Sequence, residues 1–268
     1  MWISTIKTWP IRYEDGNDFG RAKSTPVVEV TSAGGVSGWG GAVTLAPEAT
    51  FAVKAVIDHG FAPPLISAGD IAGEDTGAMM RGTLGSDFSL MTAAGHGGVW
   101  DCEAAIRTMS AMGEQGISWV EQPFCTTRIE DSRALQATVD MPVAAGEGEF
   151  TGSAYLRLTR TGTVDVLGLD PACPEGVAGF RKIDTLCTDC GTALNARGWS
   201  DGLLTAASLH PSPATPNTRV FELKPSAVSV QDELLDAPIK HLGGRDTVLN
   251  QPGPGVVIAP GVLESLAL

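Results

Sequence analysis

Apolar and polar positions alternate between two periodicities along most of this chain. Short apolar runs of strand length recur, and four of them end in a carboxylate: Ile117-Ser118-Trp119-Val120-Glu121, Pro142-Val143-Ala144-Ala145-Gly146-Glu147, Val164-Asp165-Val166-Leu167-Gly168-Leu169-Asp170 and Arg219-Val220-Phe221-Glu222. Stretches of helical spacing lie between them. Asp101 to Gly113 sets Ala105, Ile106, Met109 and Met112 on one face, and further helices are predicted near Ile129 to Thr138, over Ser153 to Arg160, from about Glu175 to Cys190 and over Gly202 to His210. Phe88 to Ala93 and Ala193 to Ala196 read as additional strands. This β-α-β-α order implies parallel strands joined by crossovers, with the C-terminal strand ends opening on one face of the sheet. Barrels and open sheets of the α/β class place their chemistry on that face.

The first eighty residues follow a different pattern. Val27 to Thr31 alternates as a half-buried strand, Ser32-Ala33-Gly34-Gly35 is a turn, and Val36 to Gly40 resumes, so an antiparallel hairpin is predicted. A helix from Pro47 to His59, the Pro-rich Phe61 to Leu65 and a short helical piece to about Met80 complete an α+β unit. Near the C-terminus, Gly243-Gly244 and Pro252-Gly253-Pro254-Gly255 signal turns, and Val256 to Ile258 reads as a strand.

Composition narrows the classes. With 268 residues and 43% hydrophobic content the chain can bury a sizeable core. Eighteen Lys and Arg against 31 acids leave a net charge of −13, which argues against nucleic acid or an anionic membrane as partner. The opening residues lack the pattern of a secretory leader and no apolar run is long enough to span a bilayer, so a cytoplasmic location is expected. The five cysteines are scattered and odd in number, which fits reduced thiols; Cys187 and Cys190 form a CxxC late in a predicted helix and read as packed helix residues.

One acid after a strand is ordinarily a helix cap, but four on one face repel one another unless a cation or shared protons offset the charge. The four together therefore suggest a hard divalent ion such as Mg²⁺ on that face.

Several stretches, in order, resemble the enolase superfamily, and within it the mandelate racemase and muconate lactonizing enzyme group. Gly38-Trp39-Gly40 is similar to its N-terminal hairpin motif, Trp119-Val120-Glu121-Gln122-Pro123 to its fourth-strand motif and Ala144-Ala145-Gly146-Glu147 to its fifth. Asp170 with Gly176-Val177-Ala178-Gly179 resembles the sixth-strand motif, and Pro252-Gly253-Pro254-Gly255-Val256 the C-terminal one. The resemblance implies an α/β protein: an α+β capping domain over 1–80, onto which the tail 246–268 packs back, and a shortened TIM-like (β/α) barrel over 81–245. It implies Mg²⁺ held by three strand-end acids, of which Glu121 and Glu147 are the candidate ligands here, with helix capping or pairing to Arg197 as the alternative, and abstraction of a proton alpha to a carboxylate of a hydroxy or sugar acid.

The departures from the family pattern are specific. Ala93 stands where the resemblance implies the third metal ligand, Gly95 where it implies Asn, and Gly41 where Glu usually follows Gly-Trp-Gly. Arg197 takes the place of the histidine base that would partner Asp170, and an arginine stays protonated under ordinary conditions. Glu222 matches the acid that assists the enediolate. Met80 runs directly into Arg81-Gly82-Thr83-Leu84-Gly85, a segment resembling the approach to the third strand, so the first two barrel strands and their Lys-x-Lys motif are expected to be missing. His96, near the third-strand end, is a substitute base if the chain is active, and otherwise a loop histidine. Two readings stay open: a divergent racemase, dehydratase or cycloisomerase acting on a small carboxylate, and a catalytically silent structural or binding remnant. In either, the open edges of a shortened barrel predict a homo-oligomer.

Overall fold

The computed structural model describes residues 2–14, 22–42, 44, 47–70, 100–113, 118–171, 173–224, 229–242, 245–246 and 250–268. They divide into two compact units, the first drawn from Met1–Leu90, Gly198–His210 and Leu223–Leu268, the second from Met91–Arg197 and Pro211–Glu222.

In the first unit, β1 (Ile3–Glu14), β2 (Ala22–Ser32) and β3 (Ser37–Gly41) form an antiparallel sheet in the order β1-β2-β3. Register follows from Trp9 opposite Val27 and Glu29 opposite Trp39. The turn predicted over Ser32 to Gly35 is present: Ser32 N–H donates to the Val36 carbonyl at 2.9 Å and Gly35 N–H to the Ser32 carbonyl at 3.0 Å. Helix α1 (Pro47–Ala55) continues through a π-helical turn, Val56–Phe61, into α2 (Ala62–Ser67). The Pro63-Pro64 pair, set apart from the flanking helices in the sequence reading, instead lies inside α2, which follows directly on the π-helical turn, so the helical path runs through it. Where α1 meets β2, three buried hydroxyls connect: Ser24 Oγ lies 2.6 Å from Thr50 Oγ1, which lies 2.6 Å from Thr44 Oγ1, and Thr44 Oγ1 donates to the Ser24 carbonyl at 2.6 Å. The core of this unit gathers Ile11, Tyr13 and Val27 of the sheet with Leu203, Val230, Leu234, Leu235, Ile258 and Leu263. The C-terminal segment lies along β1, with Arg12 N–H donating to the Leu266 carbonyl at 2.9 Å and Leu268 N–H to the Pro10 carbonyl at 3.1 Å. Val256 to Ile258 forms no strand ladder; only Ile258 makes an isolated bridge, to Leu235.

The second unit is built from α3 (Cys102–Gly113), β4 (Val120–Glu121), α4 (Ile129–Gln136), β5 (Val143–Ala145), α5 (Gly152–Thr161), β6 (Val166–Leu169), α6 (Gly176–Cys190), β7 (Ala193–Gly198) and β8 (Thr218–Leu223). The sheet order is β4-β5-β6-β7-β8, and the pairs β4/β5, β5/β6 and β6/β7 are parallel. This is the curled half-barrel of a shortened α/β barrel, accompanied by an antiparallel sheet. The strand predicted over Phe88 to Ala93, and the junction at Met80 and Arg81, lie outside the described residues.

The period-2 pattern decides which side of each strand is buried in the outer core. Ala145, Leu167, Leu169, Leu194 and Ala196 pack against Tyr155 and Leu158 of α5 and Phe180, Ile183 and Cys187 of α6. Val120 and Val143 pack with Ala105 and Met109 of α3 and Leu135 of α4. Burial pushes the Cys187 thiol up to about 12, in keeping with a packed helix cysteine. The alternate positions, Glu121, Ala144, Gly168, Asn195, Arg197 and Glu222, belong to the opposite face.

Candidate functional site

Four acids expected at strand ends are placed there: Glu121 closes β4, Glu147 lies two residues beyond β5, Asp170 follows β6 and Glu222 lies in β8. The local backbone explains two of these positions. After Glu121, Gln122 takes a left-handed φ of 45° while its N–H donates to the Ala144 carbonyl at 2.8 Å, so the chain leaves the sheet only after the carboxylate. After β5, Gly146 has φ 127°, and a Cβ there would meet Leu167 Cδ1 at 2.9 Å and the Gly168 carbonyl oxygen at 3.0 Å. Only glycine fits this turn, and the turn is what delivers Glu147 to the site face.

Neither Glu121 nor Glu147 caps the helix that follows it. The N-cap of α4 is Arg128, and that of α5 is Thr151, whose hydroxyl accepts from Ala154 N–H at 3.2 Å. Both carboxylates face Arg197 instead. One guanidinium nitrogen, Nη1, pairs with Glu147 Oε2 and lies 3.4 Å from Glu121 Oε1. Arg197 is the most sequestered of the three, its side chain 11% exposed against 27% for Glu147 and 39% for Glu121. Glu147 is the closer partner; Glu121, at the far limit of a hydrogen bond, is held mainly by charge.

Burial raises the Glu121 carboxyl above its ordinary range; the charge of Glu222 adds to this, Arg197 partly offsets it, and Glu147 adds again. Glu222 is raised by burial as well, against Arg197 and a hydrogen bond from the Asn195 side chain, which lower it, with Glu147 raising it further. Asp170 is buried, and near it the Cys173 thiol is pushed up to about 12 by burial and then by the Asp170 charge, so this cysteine is a neutral thiol. His96, Ala93 and Gly95 lie outside the described residues.

Asn195 was not singled out from the sequence. It is 3% exposed and two residues before Arg197 on β7, so both point to the same face. That spacing was the available signal, and it passed unread because a single amide between Leu194 and Ala196 reads as ordinary strand interior.

A hard divalent ion requires several oxygens converging at about 2.0–2.6 Å. Here the space between Glu121 and Glu147 holds the Arg197 guanidinium, and among the described residues no group of three or more His, Cys, Asp or Glu is arranged to hold a metal ion. The described residues, with the guanidinium in place, do not fit Mg²⁺. What the arrangement can do is hold one permanent positive charge within a ring of glutamates.

Residues 71–262 match the family model described as enolase C-terminal domain-like. Among curated proteins, the chain is 27% identical over 189 residues to D-galactarolactone cycloisomerase from Agrobacterium fabrum, covering 68% of this chain and 50% of that protein. It is 28% identical over 162 residues to muconate cycloisomerase 1 from Rhodococcus opacus, covering 59% and 42%, and 24% identical over 185 residues to arabinonate dehydratase from Saccharolobus solfataricus, covering 69% and 49%. The chain thus spans about half the length of the curated relatives it matches. The solved structure of 2-chloromuconate cycloisomerase from Rhodococcus opacus 1CP superposes with a TM-score of 0.83 at 17% identity, covering 100% of both chains, a likeness of fold. No helix among the described residues is long and apolar enough to cross a membrane.

Proposed function

The chain belongs to the enolase superfamily, in its mandelate racemase and muconate lactonizing enzyme group, and from that membership we propose that it is a catalytically silenced member, keeping the strand-end carboxylates of the scaffold without the base that would use them. The ancestral chemistry is abstraction of a proton alpha to a carboxylate by a Lys or His, for which a bound divalent ion would supply positive charge against the charge that develops.

The placement of the lysines and histidines carries this reading. The sequence has six lysines and four histidines, and all but His96 are described. Lys7 and Lys23 lie on β1 and β2, Lys54 on α1, Lys182 on α6, and Lys240 just before the short strand His241–Leu242. His59 sits in the π-helical turn, His210 after helix Gly202–Leu209, and His241 at the start of that short strand. Lys224 follows β8 but is 5% exposed and acts on the buried carboxylate of Asp201. Among the described residues Arg197 is the one cation acting on Glu121 and Glu222, and a guanidinium has no acceptor with which to take a substrate proton. The direct run from Met80 into Arg81, read as the junction of an internal deletion, removes the Lys-x-Lys motif and supports the same conclusion.

The test is exchange of the α-proton. Hydroxy acids and aldonic and aldaric acids are incubated with the protein and Mg²⁺ in deuterated buffer, and the Cα–H resonance is followed by NMR. The expected outcome is no exchange above buffer for any of them. Mg²⁺-dependent exchange that disappears in Glu147→Gln would sink the proposal in favour of a divergent racemase, dehydratase or cycloisomerase, and its loss in His96→Asn would identify the base.

A further inference from the structure

A metal-dependent member of such a scaffold needs positive charge among its strand-end acids whether or not substrate is present. We propose that in this chain the Arg197 guanidinium is a resident cation that replaces the divalent ion, so that the face is closed to metal in the wild type and opens to it when the guanidinium is removed. The proposal goes beyond the silencing of proton abstraction and does not depend on turnover.

The geometry on which it stands is the bridging of two carboxylates from different strands by one nitrogen, Nη1, against Glu147 Oε2 and 3.4 Å from Glu121 Oε1, with Glu222 acting on the same cluster from β8. A divalent ion binding there would place its oxygens around the point this nitrogen now holds. Three physical terms favour the arginine over the ion. The guanidinium is tethered by β7, so its local concentration far exceeds that of any free cation. It is more weakly hydrated than an ammonium and gives up less on entering a partly buried site. Mg²⁺ dehydrates reluctantly and would have to displace a bonded charge as well. The sheet register supports a built arrangement: Arg197 shares its face with Asn195, which hydrogen-bonds Glu222, so β7 holds two acids by charge and steadies a third through an amide.

Removing the charge while keeping the bulk leaves Glu121, Glu147 and Glu222 facing one another without compensation, which is the circumstance in which carboxylates recruit a cation. MnCl₂ is titrated into wild type, Arg197→Met, Arg197→Lys and the double variant Arg197→Met with Glu147→Gln, read by calorimetry and by the electron paramagnetic resonance of free Mn²⁺. The expected result is one Mn²⁺ bound by Arg197→Met at least about tenfold more tightly than by wild type, with Arg197→Lys behaving as wild type and the double variant losing the gain. Two results overturn the proposal: a wild type that binds one Mn²⁺ and loses it in Glu147→Gln, or a folded Arg197→Met that binds no better than wild type. Should Arg197→Met fold only with Mn²⁺ present, the proposal is supported. Should it fold in neither condition, wild type and Glu147→Gln decide, since a wild type that stays empty at millimolar Mn²⁺ supports the proposal and one-to-one binding lost in Glu147→Gln overturns it. Deuterium exchange is a separate readout, so failure of this inference and failure of the silenced-enzyme reading are told apart.

Discussion

A single guanidinium among three glutamates leaves two of those glutamates with raised carboxyls: Glu121 by burial and then the charges of Glu222 and Glu147, Glu222 by burial and then the charge of Glu147. A carboxyl whose native pKa lies above its unfolded value, near 4.5, binds its proton better when folded. Its contribution therefore favours the native state below that value and is lost as pH rises through the native pKa. The double variant Glu121→Gln with Glu222→Gln is accordingly expected to match wild-type stability below the ordinary carboxylate range and to exceed it at neutral pH. Both groups are partly exposed, so the gain is on the order of 1 kcal/mol or less. Thermal unfolding of both proteins across that range checks it, and a variant less stable than wild type at neutral pH would show that the pairing with Arg197 outweighs burial. The acids were legible in the sequence because each closes an apolar run. Their mutual arrangement was not, because which of two readings wins, capping or pairing, depends on a side chain 76 positions from Glu121 and 50 from Glu147.

At the scale of elements, the helices between Ile129 and Leu209 were legible to within two residues, since each carries a continuous apolar stripe and ends at a clear stop such as Gly162 or Gly191. Two misses share a cause. The Pro63-Pro64 pair and the Val256 to Ile258 run were read by residue type alone, whereas their structure is set by what they join: a helical path already in progress, and a core that Ile258 enters with a single backbone bridge, to Leu235, in place of a strand ladder. Close packing at the start of α6 makes a sharper prediction. A Cβ on Gly179 would lie 1.2 Å from the Pro174 carbonyl oxygen, a backbone atom. Alanine's helix propensity would favour the substitution by about 1 kcal/mol, but displacing backbone in a packed region costs roughly 1–3 kcal/mol or more. Gly179→Ala is therefore expected to lower stability despite being a better helix former, and chemical denaturation checks the sign.

Over the whole molecule the dominant electrostatic fact is the net charge of −13, a self-repulsion that salt screens over about 10 Å at 0.1 M ionic strength. Exposed pairs such as Arg133 with Glu130 lose little when screened. The melting temperature is therefore expected to rise when NaCl is added from low ionic strength, as calorimetry at two salt concentrations would show; a fall would mean that ion pairs outweigh repulsion. The buried contact of β2 with α1 is of the opposite kind, without charge and out of reach of salt. A hydroxyl carries one hydrogen, and a carbonyl can only accept. At 2.6 Å from the Ser24 carbonyl, Thr44 must spend its hydrogen there, so Thr50 must donate to Thr44, and Ser24 in turn to Thr50. Three rotors that could in principle point either way are thus left with a single proton order, a one-way loop that starts and finishes on Ser24.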